Sequence, residues 1–197
     1  MRSGIKPRKT PKQQRSQRTR EEILEATAHL LNDRPLDEVS TNHIAQKTGI
    51  SIGTLYKYYP NKDSILADLS LRYMQEDAEL FEKLFEKYKG RSLKDLIEEA
   101  AETLVQIHRK NARVRGVVYQ NFERLGLMTE AQSARRRIQT KGTELFSGLD
   151  SALTWVTLTA ISSTVFAMSQ LSPQHRNWEF ARNLCRQALG LLMASRT

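Results

Sequence analysis

Hydroxyl-bearing, aromatic and basic side chains are concentrated between Ser40 and Lys62. This window has the sequence STNHIAQKTGISIGTLYKYYPNK. Serine, threonine, tyrosine and lysine side chains donate hydrogen bonds to phosphate oxygens, and such bonds position a protein on duplex DNA. Gly53 lies among them and lets the main chain approach another molecule closely, because glycine has no side chain. The residue types of this window therefore predict a surface that contacts DNA.

Two short helices joined by a tight turn must position these side chains. Ser40 or Thr41 can cap the first helix, and Gly49 can end it in the left-handed conformation. Ser51 can cap the second helix. Residues 48–50 join the two helices, which is the length that a helix-turn-helix requires. The second helix can then enter the major groove and present its N-terminal residues to base edges.

Capping residues and apolar periodicity predict helices along the rest of the chain as well. Thr19 and Glu22 have the spacing of a capping box, which would open a first helix that ends near Leu31. Asn61 would cap a long fourth helix that ends near Tyr88. Five more helices are predicted at about residues 92–109, 112–124, 129–146, 151–170 and 173–194.

Particular residues predict where two of these helices begin. The seventh helix would open on a capping box at residues 129–132, and the last would begin at Pro173 or after Asn177. No stretch of the sequence alternates with the period of a β-strand. The sequence therefore predicts an all-α fold of about nine helices, the first three of which form a helix-turn-helix DNA-binding domain.

The N-terminal segment carries nearly all of the excess positive charge. The chain has a formal net charge of +9, and its first 20 residues hold eight basic side chains and no acid. Such a polar segment cannot bury enough apolar surface to fold alone, so residues 1–17 are predicted to be a disordered arm. Its charge suits a phosphate-rich partner or an acidic lipid, and its place beside a helix-turn-helix favours DNA. Arg18, at the end of the arm, is a further candidate DNA contact.

Other kinds of site have little support in the sequence. The four histidines and the single cysteine, Cys185, lack the spacing of metal ligands, and no phosphate loop or dinucleotide motif is present. No metal, cofactor or enzymatic activity is therefore expected. The uncharged run at residues 151–171 contains too many serines and threonines for a lipid-facing span, and no signal peptide is recognisable. These features predict a cytoplasmic protein without a membrane partner.

The ordered residues of the helix-turn-helix window resemble the TetR (tetracycline-repressor) family of bacterial regulators. The resemblance covers roughly residues 18–66 and implies a homodimer that binds a palindromic operator in double-stranded DNA. It also implies that the protein is usually a repressor, which an unidentified small-molecule effector releases. It rests on Ile44–Ala45, Thr48–Ser51, Gly53–Tyr56, Tyr58–Tyr59, Asn61–Lys62 and Leu66.

The resemblance assigns DNA contacts by position and also shows two departures from the family pattern. Tyr59 stands where the family commonly has phenylalanine, and we expect this change to adjust packing only. Ile52 stands where many relatives have a polar residue, so it contacts a thymine methyl group or no base at all. The implied DNA contacts are Thr41, Ser51, Ile52, Gly53, Thr54, Tyr56, Lys57, Tyr58 and Lys62.

The resemblance further implies a helix-turn-helix domain at residues 18–61 and a helical ligand-binding and dimerisation domain at residues 62–197. The last two helices would pair across the dimer, although ordinary packing within one chain would use the same apolar stripe. The predicted dimerisation residues are Trp178, Ala181, Cys185, Ala188 and Leu192. The candidate ligand-binding residues are Phe81, Tyr119, Phe122, Trp155 and Phe166, whose types are more often plain core than ligand contacts, and His108, which could supply a polar contact.

The sequence is also compatible with two other functions. A DNA-bound architectural or cell-division partner protein, without a small-molecule inducer, would use the same helix-turn-helix but would occupy many scattered sites. A small-molecule enzyme would use a cavity in the C-terminal helices, but the sequence offers no catalytic constellation for one. A ligand-controlled repressor is the prediction that accounts for most of the motif.

Overall fold

The computed structural model describes residues 14–89, 93–145 and 173–194, with positions 156, 160, 164, 167, 168 and 171 between the last two ranges. Some helical side chains, including those of His108 and Leu192, lie outside the described set. Regular structure in this part of the chain is helical throughout, which confirms the predicted fold class. The α-helices are α1 Gln14–Asp33, α2 Thr41–Thr48, α3 Ile52–Tyr58, α4 Lys62–Tyr88, α5 Leu93–Arg109, α6 Ala112–Gln120, α7 Met128–Leu145 and α8 Trp178–Ala194.

Two short 3₁₀-helices, at Leu36–Glu38 and Pro173–His175, complete the described regular structure. The predicted helix at residues 151–170 lies mostly outside the described residues. Its five described helical positions are Val156, Ala160, Thr164, Ala167 and Met168.

The first predicted capping box is wrong, because α1 begins upstream of it at Gln14. Thr19 lies inside the helix, where its hydroxyl donates to the carbonyl oxygen of Arg15 at 3.1 Å. Residues 14–17 of the predicted disordered arm are therefore helical, and residues 1–13 lie outside the described part. Thr129 is likewise inside its helix, since α7 begins at Met128.

Other predicted helix ends can be compared directly with the structure. Asn61 caps α4, because its Oδ1 accepts a hydrogen bond from the Ser64 main-chain nitrogen at 2.8 Å. Asn177 caps α8 in the same way, with Oδ1 2.8 Å from the main-chain nitrogen of Phe180. The sixth helix stops at Gln120 rather than near residue 124, and a turn follows it to Gly126.

The chain divides into two compact units. The first contains the residues up to Met74 together with Arg113–Ala131, and the second contains Gln75–Ala112 with the residues from Gln132 onward. The predicted domain boundary at residue 62 thus lies inside the first unit, which holds the helix-turn-helix and the first half of α4.

The core of the first unit explains why its four N-terminal helices pack together. Each helix supplies apolar side chains at helical spacing, and burying one such side chain contributes about 1.5–3 kcal/mol. The fully buried members include Ile23, Leu24, Leu31, Ile44, Leu55, Tyr59, Ile65, Leu66, Leu69 and Tyr73.

In the second unit, α5 packs against α8 through a row of buried small and aliphatic side chains. Ala101 and Val105 of α5 meet Ala181, Cys185 and Leu189 of α8. The ion pairs Arg182–Glu102 and Arg186–Glu98, at 2.6 and 2.5 Å, join the same two helices.

Four of the five predicted dimerisation residues take part in this packing. Ala181 and Cys185 are buried within the chain, and Trp178 and Ala188 pack against the same cluster. These contacts lie within one chain, and a role of the stripe in a dimer stays a prediction. The side chain of Leu192 lies outside the described residues. Within the described chain, no helix combines the length and the apolarity that a membrane crossing needs.

Candidate nucleic-acid interface

The turn between α2 and α3 has the geometry that its sequence predicts. Ser40 is the N-cap of α2: its hydroxyl accepts from the His43 main-chain nitrogen at 3.2 Å, and the His43 ring nitrogen Nδ1 lies 3.4 Å from the Ser40 nitrogen. Gly49 ends the helix with φ +74°, and the next main-chain nitrogen, of Ile50, donates to the carbonyl oxygen of Ala45. A left-handed residue with this bond satisfies carbonyl groups that the helix end would otherwise leave open.

Helix α3 is capped at its start and buried on one side only. The Ser51 hydroxyl accepts from the main-chain nitrogen of Thr54 at 3.1 Å and lies 2.9 Å from the Thr54 hydroxyl oxygen. Leu55 is buried completely and fixes the inner side of the helix. The remaining predicted contacts lie outside this core, with Ile52, Gly53, Tyr56 and Lys57 exposed and Thr54 and Tyr58 partly buried.

The structure brings Thr41 and Tyr56 together on the same surface. Thr41 begins α2 and Tyr56 lies in α3, and their side-chain oxygens are 3.1 Å apart. Both side chains were predicted to contact DNA separately. The hydrogen bond between them joins the two hydroxyls into a single polar group, which lies beside the N-terminal end of α2.

Lys62 has a structural role that sequence analysis missed. Its ammonium group donates to the main-chain carbonyl oxygens of Leu36 and Val39, at 2.7 and 2.8 Å. The Leu36 carbonyl belongs to the first residue of the first 3₁₀-helix and also accepts from the main-chain nitrogen of Val39, the residue that follows this helix. The predicted contact of Lys62 with a phosphate stays a prediction.

Arg18 lies on the exposed side of α1. Its side chain is 82% exposed, and its Nε donates to Glu22 one turn later at 3.0 Å. Such surface pairs contribute little to stability, so the guanidinium group can exchange this partner for a phosphate.

Tyr59 does more than adjust packing, which corrects the prediction made for it. Its hydroxyl donates to Oδ2 of Asp68 at 2.5 Å, and Arg20 donates to both oxygens of the same carboxylate. Burial first, and then the charge of Asp68, raise the pKa of Tyr59 well above its ordinary value. The signal in the sequence was an acid, Asp68, three residues after Ile65 on the apolar side of α4.

Comparisons with known proteins agree with this geometry. Residues 23–69 match the sequence profile of the bacterial regulatory proteins of the tetR family. The HTH-type transcriptional regulator EthR of Mycobacterium tuberculosis is 31% identical over 140 residues, which are 70% of this chain and 56% of EthR. The HTH-type transcriptional regulator PksA of Bacillus subtilis is 30% identical over 87 residues, which are 44% of this chain and 39% of PksA. The chain belongs to the tetR family. It spans just over half the length of EthR.

Solved structures of the tetR family share the fold over most of the chain. A regulator from Mesorhizobium loti superimposes with a TM-score of 0.77 at 16% identity, covering 92% of this chain and 98% of that one. The Thermus thermophilus repressor FadR, solved with lauroyl-CoA, gives a TM-score of 0.58 at 16% identity, with coverage of 88% and 93%. At this level of identity the likeness establishes the fold.

Three of the six candidate ligand-binding residues of this tetR-family chain have packing partners inside their own units. Tyr119 and Phe122 form an edge-to-face pair in the first unit, with ring centroids 5.3 Å apart. Phe81 lies 6.1 Å from Phe85 and packs against the α5–α8 cluster in the second unit. Trp155, Phe166 and the side chain of His108 lie outside the described residues.

Metal chemistry has no support in the described part of this tetR-family chain. There, histidine, cysteine, aspartate and glutamate side chains do not form a group of three or more that could hold an ion. The free thiol of Cys185 is buried, and burial raises its pKa to about 11. The thiol therefore stays protonated near neutral pH and is a poor nucleophile.

Proposed function

We propose that this protein is a sequence-specific DNA-binding regulator of transcription, which acts as a repressor on a palindromic operator and is released by a small molecule. The observation that supports DNA binding best is the exposed surface of α3 beside the start of α2. There Ser51 caps α3, Ile52 and Gly53 are exposed at its N-terminal end, and Tyr56 is bonded to Thr41.

Each part of this surface would make a different kind of contact with DNA. Ile52 offers an aliphatic group that packs against a thymine methyl group in the major groove. Gly53 lets the main chain of α3 approach the DNA. The hydroxyl groups of Thr41 and Tyr56, the ammonium group of Lys57 and the guanidinium group of Arg18 hold phosphates and fix the register of the helix on the duplex.

A homodimer is proposed because an exposed apolar side of α8 remains after α5 has covered the other side. Phe180 and Leu191 are 54% and 73% exposed, and their positions fall about 20° apart around the helix. Leu184 falls about 20° beyond Leu191 on the same side of the helix and is partly buried. We therefore assign the dimer contact to this side of α8.

Control by a small molecule is supported by the fold that the chain shares with FadR, whose solved structure contains lauroyl-CoA. An effector would act by binding one conformation of the dimer better than another and so shifting the population away from the DNA-binding form. At 16% identity the likeness to FadR concerns the fold and not the ligand, so release of the bound DNA by cell extracts has to identify the chemical class of the effector.

The test is to select bound duplexes from fragmented genomic DNA of the source organism with the purified full-length protein. Recovery of a short palindrome at one or a few promoters supports the regulator. A filtered small-molecule extract of the same cells should then release the selected duplex. A protein that is never released by such extracts would not be ligand-controlled.

A second outcome of the same selection favours the architectural alternative. Enrichment of many scattered fragments without a shared half-site would mean that the protein binds mainly through phosphates. A Gly53→Trp variant is the matched control, because its bulky side chain on the exposed start of α3 should abolish selection and leave the rest of the fold in place.

A further inference from the structure

One buried carboxylate joins three helices of the first unit. Asp68 lies on α4 and is 4% exposed. Its Oδ2 accepts from the hydroxyl of Tyr59 at 2.5 Å and from Nε of Arg20 at 2.6 Å, and its Oδ1 accepts from Nη2 of Arg20. Arg20 belongs to α1, and Tyr59 is the C-cap residue that directly follows α3.

The hydrogen bonds among Asp68, Arg20 and Tyr59 constrain the relative orientation of the three side chains as well as the distances between them. A guanidinium group that donates two parallel bonds to one carboxylate has a defined plane, unlike an ammonium group. The tyrosine ring is rigid and fully buried, so its hydroxyl can reach Asp68 from one side only. A buried charge also needs its partners, because desolvation without them is costly. The three side chains therefore hold one relative arrangement.

The arrangement acts on the end of the recognition helix. The Tyr59 main-chain nitrogen donates to the carbonyl oxygen of Leu55, so Tyr59 continues the last turn of α3. A rotation of α3 about its axis would break the bond between Tyr59 and Asp68. The same rotation would move Ile52 and Tyr56 relative to a DNA groove.

We propose that Asp68 is a positioning residue for DNA recognition: with Arg20 and Tyr59 it sets the orientation of α3 against α1 and α4, and so the discrimination between DNA sequences. The inference rests on the proposed DNA-binding function. It also gives Arg20, one of the eight basic residues at the start of the sequence, a partly buried ion pair with Asp68.

The test compares two affinities of the full-length protein and its variants. One probe is the duplex that the wild-type protein selects, and the other is a scrambled duplex of the same length and composition. Tyr59→Phe is the principal variant, because it removes one hydroxyl and leaves the Arg20–Asp68 pair. Asp68→Asn keeps the shape of the side chain and removes its charge. Each is measured at a temperature at which circular dichroism shows the variant fully folded.

The expected result is a loss of discrimination. Both variants should lower the ratio of selected to scrambled affinity by about tenfold, within the range that one base contact contributes. The slope of log K against log salt concentration should stay as in the wild type, because the same phosphates remain bound. Asp63→Asn is the matched control on α4, since Asp63 makes an exposed ion pair with Arg124, and it should keep the ratio.

Other results would overturn the proposal. Unchanged ratios in Tyr59→Phe and Asp68→Asn would make the network purely structural, with a lowered melting temperature as its sole effect. A salt slope that becomes shallower by about 0.9 in Arg20→Gln would show that Arg20 binds a phosphate instead. If the wild-type protein itself selects no duplex over the scrambled one, the DNA-binding proposal fails, and the role of Asp68 in recognition fails with it.

Discussion

The side-chain oxygens of Thr41 and Tyr56 lie 3.1 Å apart, one at the start of α2 and the other in α3. Each hydroxyl has a single proton, and the bond between them uses one of the two. The pair therefore keeps one O–H group that can donate outward. A phosphate oxygen at the proposed DNA surface is the acceptor that we expect for it.

This relationship predicts that Thr41→Val and Tyr56→Phe are coupled in DNA binding. Each single substitution should weaken binding of the selected duplex by about 0.5–1.5 kcal/mol, the contribution of one neutral hydrogen bond. The double variant should lose less than the sum, because either substitution already disrupts the shared group. Fluorescence anisotropy on all four proteins gives the coupling. Strictly additive losses would mean that the two hydroxyls act independently.

A second prediction concerns Gly53, which is exposed on α3. A β-carbon added there would meet nothing closer than the Ser51 side-chain oxygen at 4.0 Å. Gly53→Ala should therefore leave the free protein as stable or stabilise it, since alanine favours helices over glycine by up to about 1 kcal/mol. The added methyl group should lower DNA affinity by about tenfold, or 1.4 kcal/mol, if the main chain approaches DNA there.

Gly49→Ala provides the contrast to this variant. Gly49 has φ +74°, a conformation that costs a residue with a side chain roughly 1–2 kcal/mol. We expect this substitution to lower the melting temperature and Gly53→Ala to leave it unchanged or raise it. Thermal unfolding and DNA titration of both variants separate the two effects. Equal DNA affinity of Gly53→Ala and the wild type would remove the proposed close approach.

The third prediction concerns stability at high pH. The pKa of Tyr59 is raised by burial and by the charge of Asp68. Tyrosine in the unfolded chain ionises near pH 10, so the contribution of Tyr59 is fully present below that pH and is lost as the pH rises above it. Above pH 10 the wild-type protein should lose about 1.4 kcal/mol more per pH unit than Tyr59→Phe. Urea unfolding between pH 8 and pH 11 measures this difference, and equal slopes would contradict it.

The helix-turn-helix could be predicted from the sequence because its determinants are local. Ser51 caps a main-chain nitrogen three residues away, and Gly49 ends α2 through its own backbone conformation. The exposure of Gly53 and Tyr56 follows from the burial of Leu55 between them. Such relations depend on neighbouring residues, which a sequence displays directly.

The parts that could not be predicted depend on residues distant in sequence. Lys62 donates to carbonyl groups 26 and 23 residues earlier, and Arg20 pairs with an acid 48 residues later. The start of α1 was misplaced because Thr19 and Glu22 have the spacing of a capping box inside a helix that begins earlier. On α8, apolar residues occur on more than one side, so their sequence cannot show which side α5 covers.

The fourth prediction tests the proposed dimer contact on α8. Leu191→Glu places a charge on the exposed apolar side and should give a folded monomer at micromolar concentration, where we expect the wild type to be a dimer. Asn183→Glu adds the same charge to the same helix beside Arg186 and should leave the dimer intact. Analytical ultracentrifugation measures the mass, and circular dichroism confirms the helical content. A Leu191→Glu protein that stays dimeric would place the contact elsewhere.

The last prediction concerns the basic residues that precede α1. Deleting residues 1–13 removes five basic side chains and no acid, and it leaves α1 whole because that helix begins at Gln14. If these side chains hold phosphates, the slope of log K against log salt concentration should become shallower by about 0.9 for each phosphate that the shortened protein no longer neutralises. Phosphates carry no sequence information, so affinity for the selected and the scrambled duplex should fall by the same factor.

The control is a full-length variant in which the same five basic side chains are changed to glutamine. It should behave like the deletion, because the charge of the segment and not its length is responsible. An unchanged slope in both variants would show that the arm lies away from the DNA.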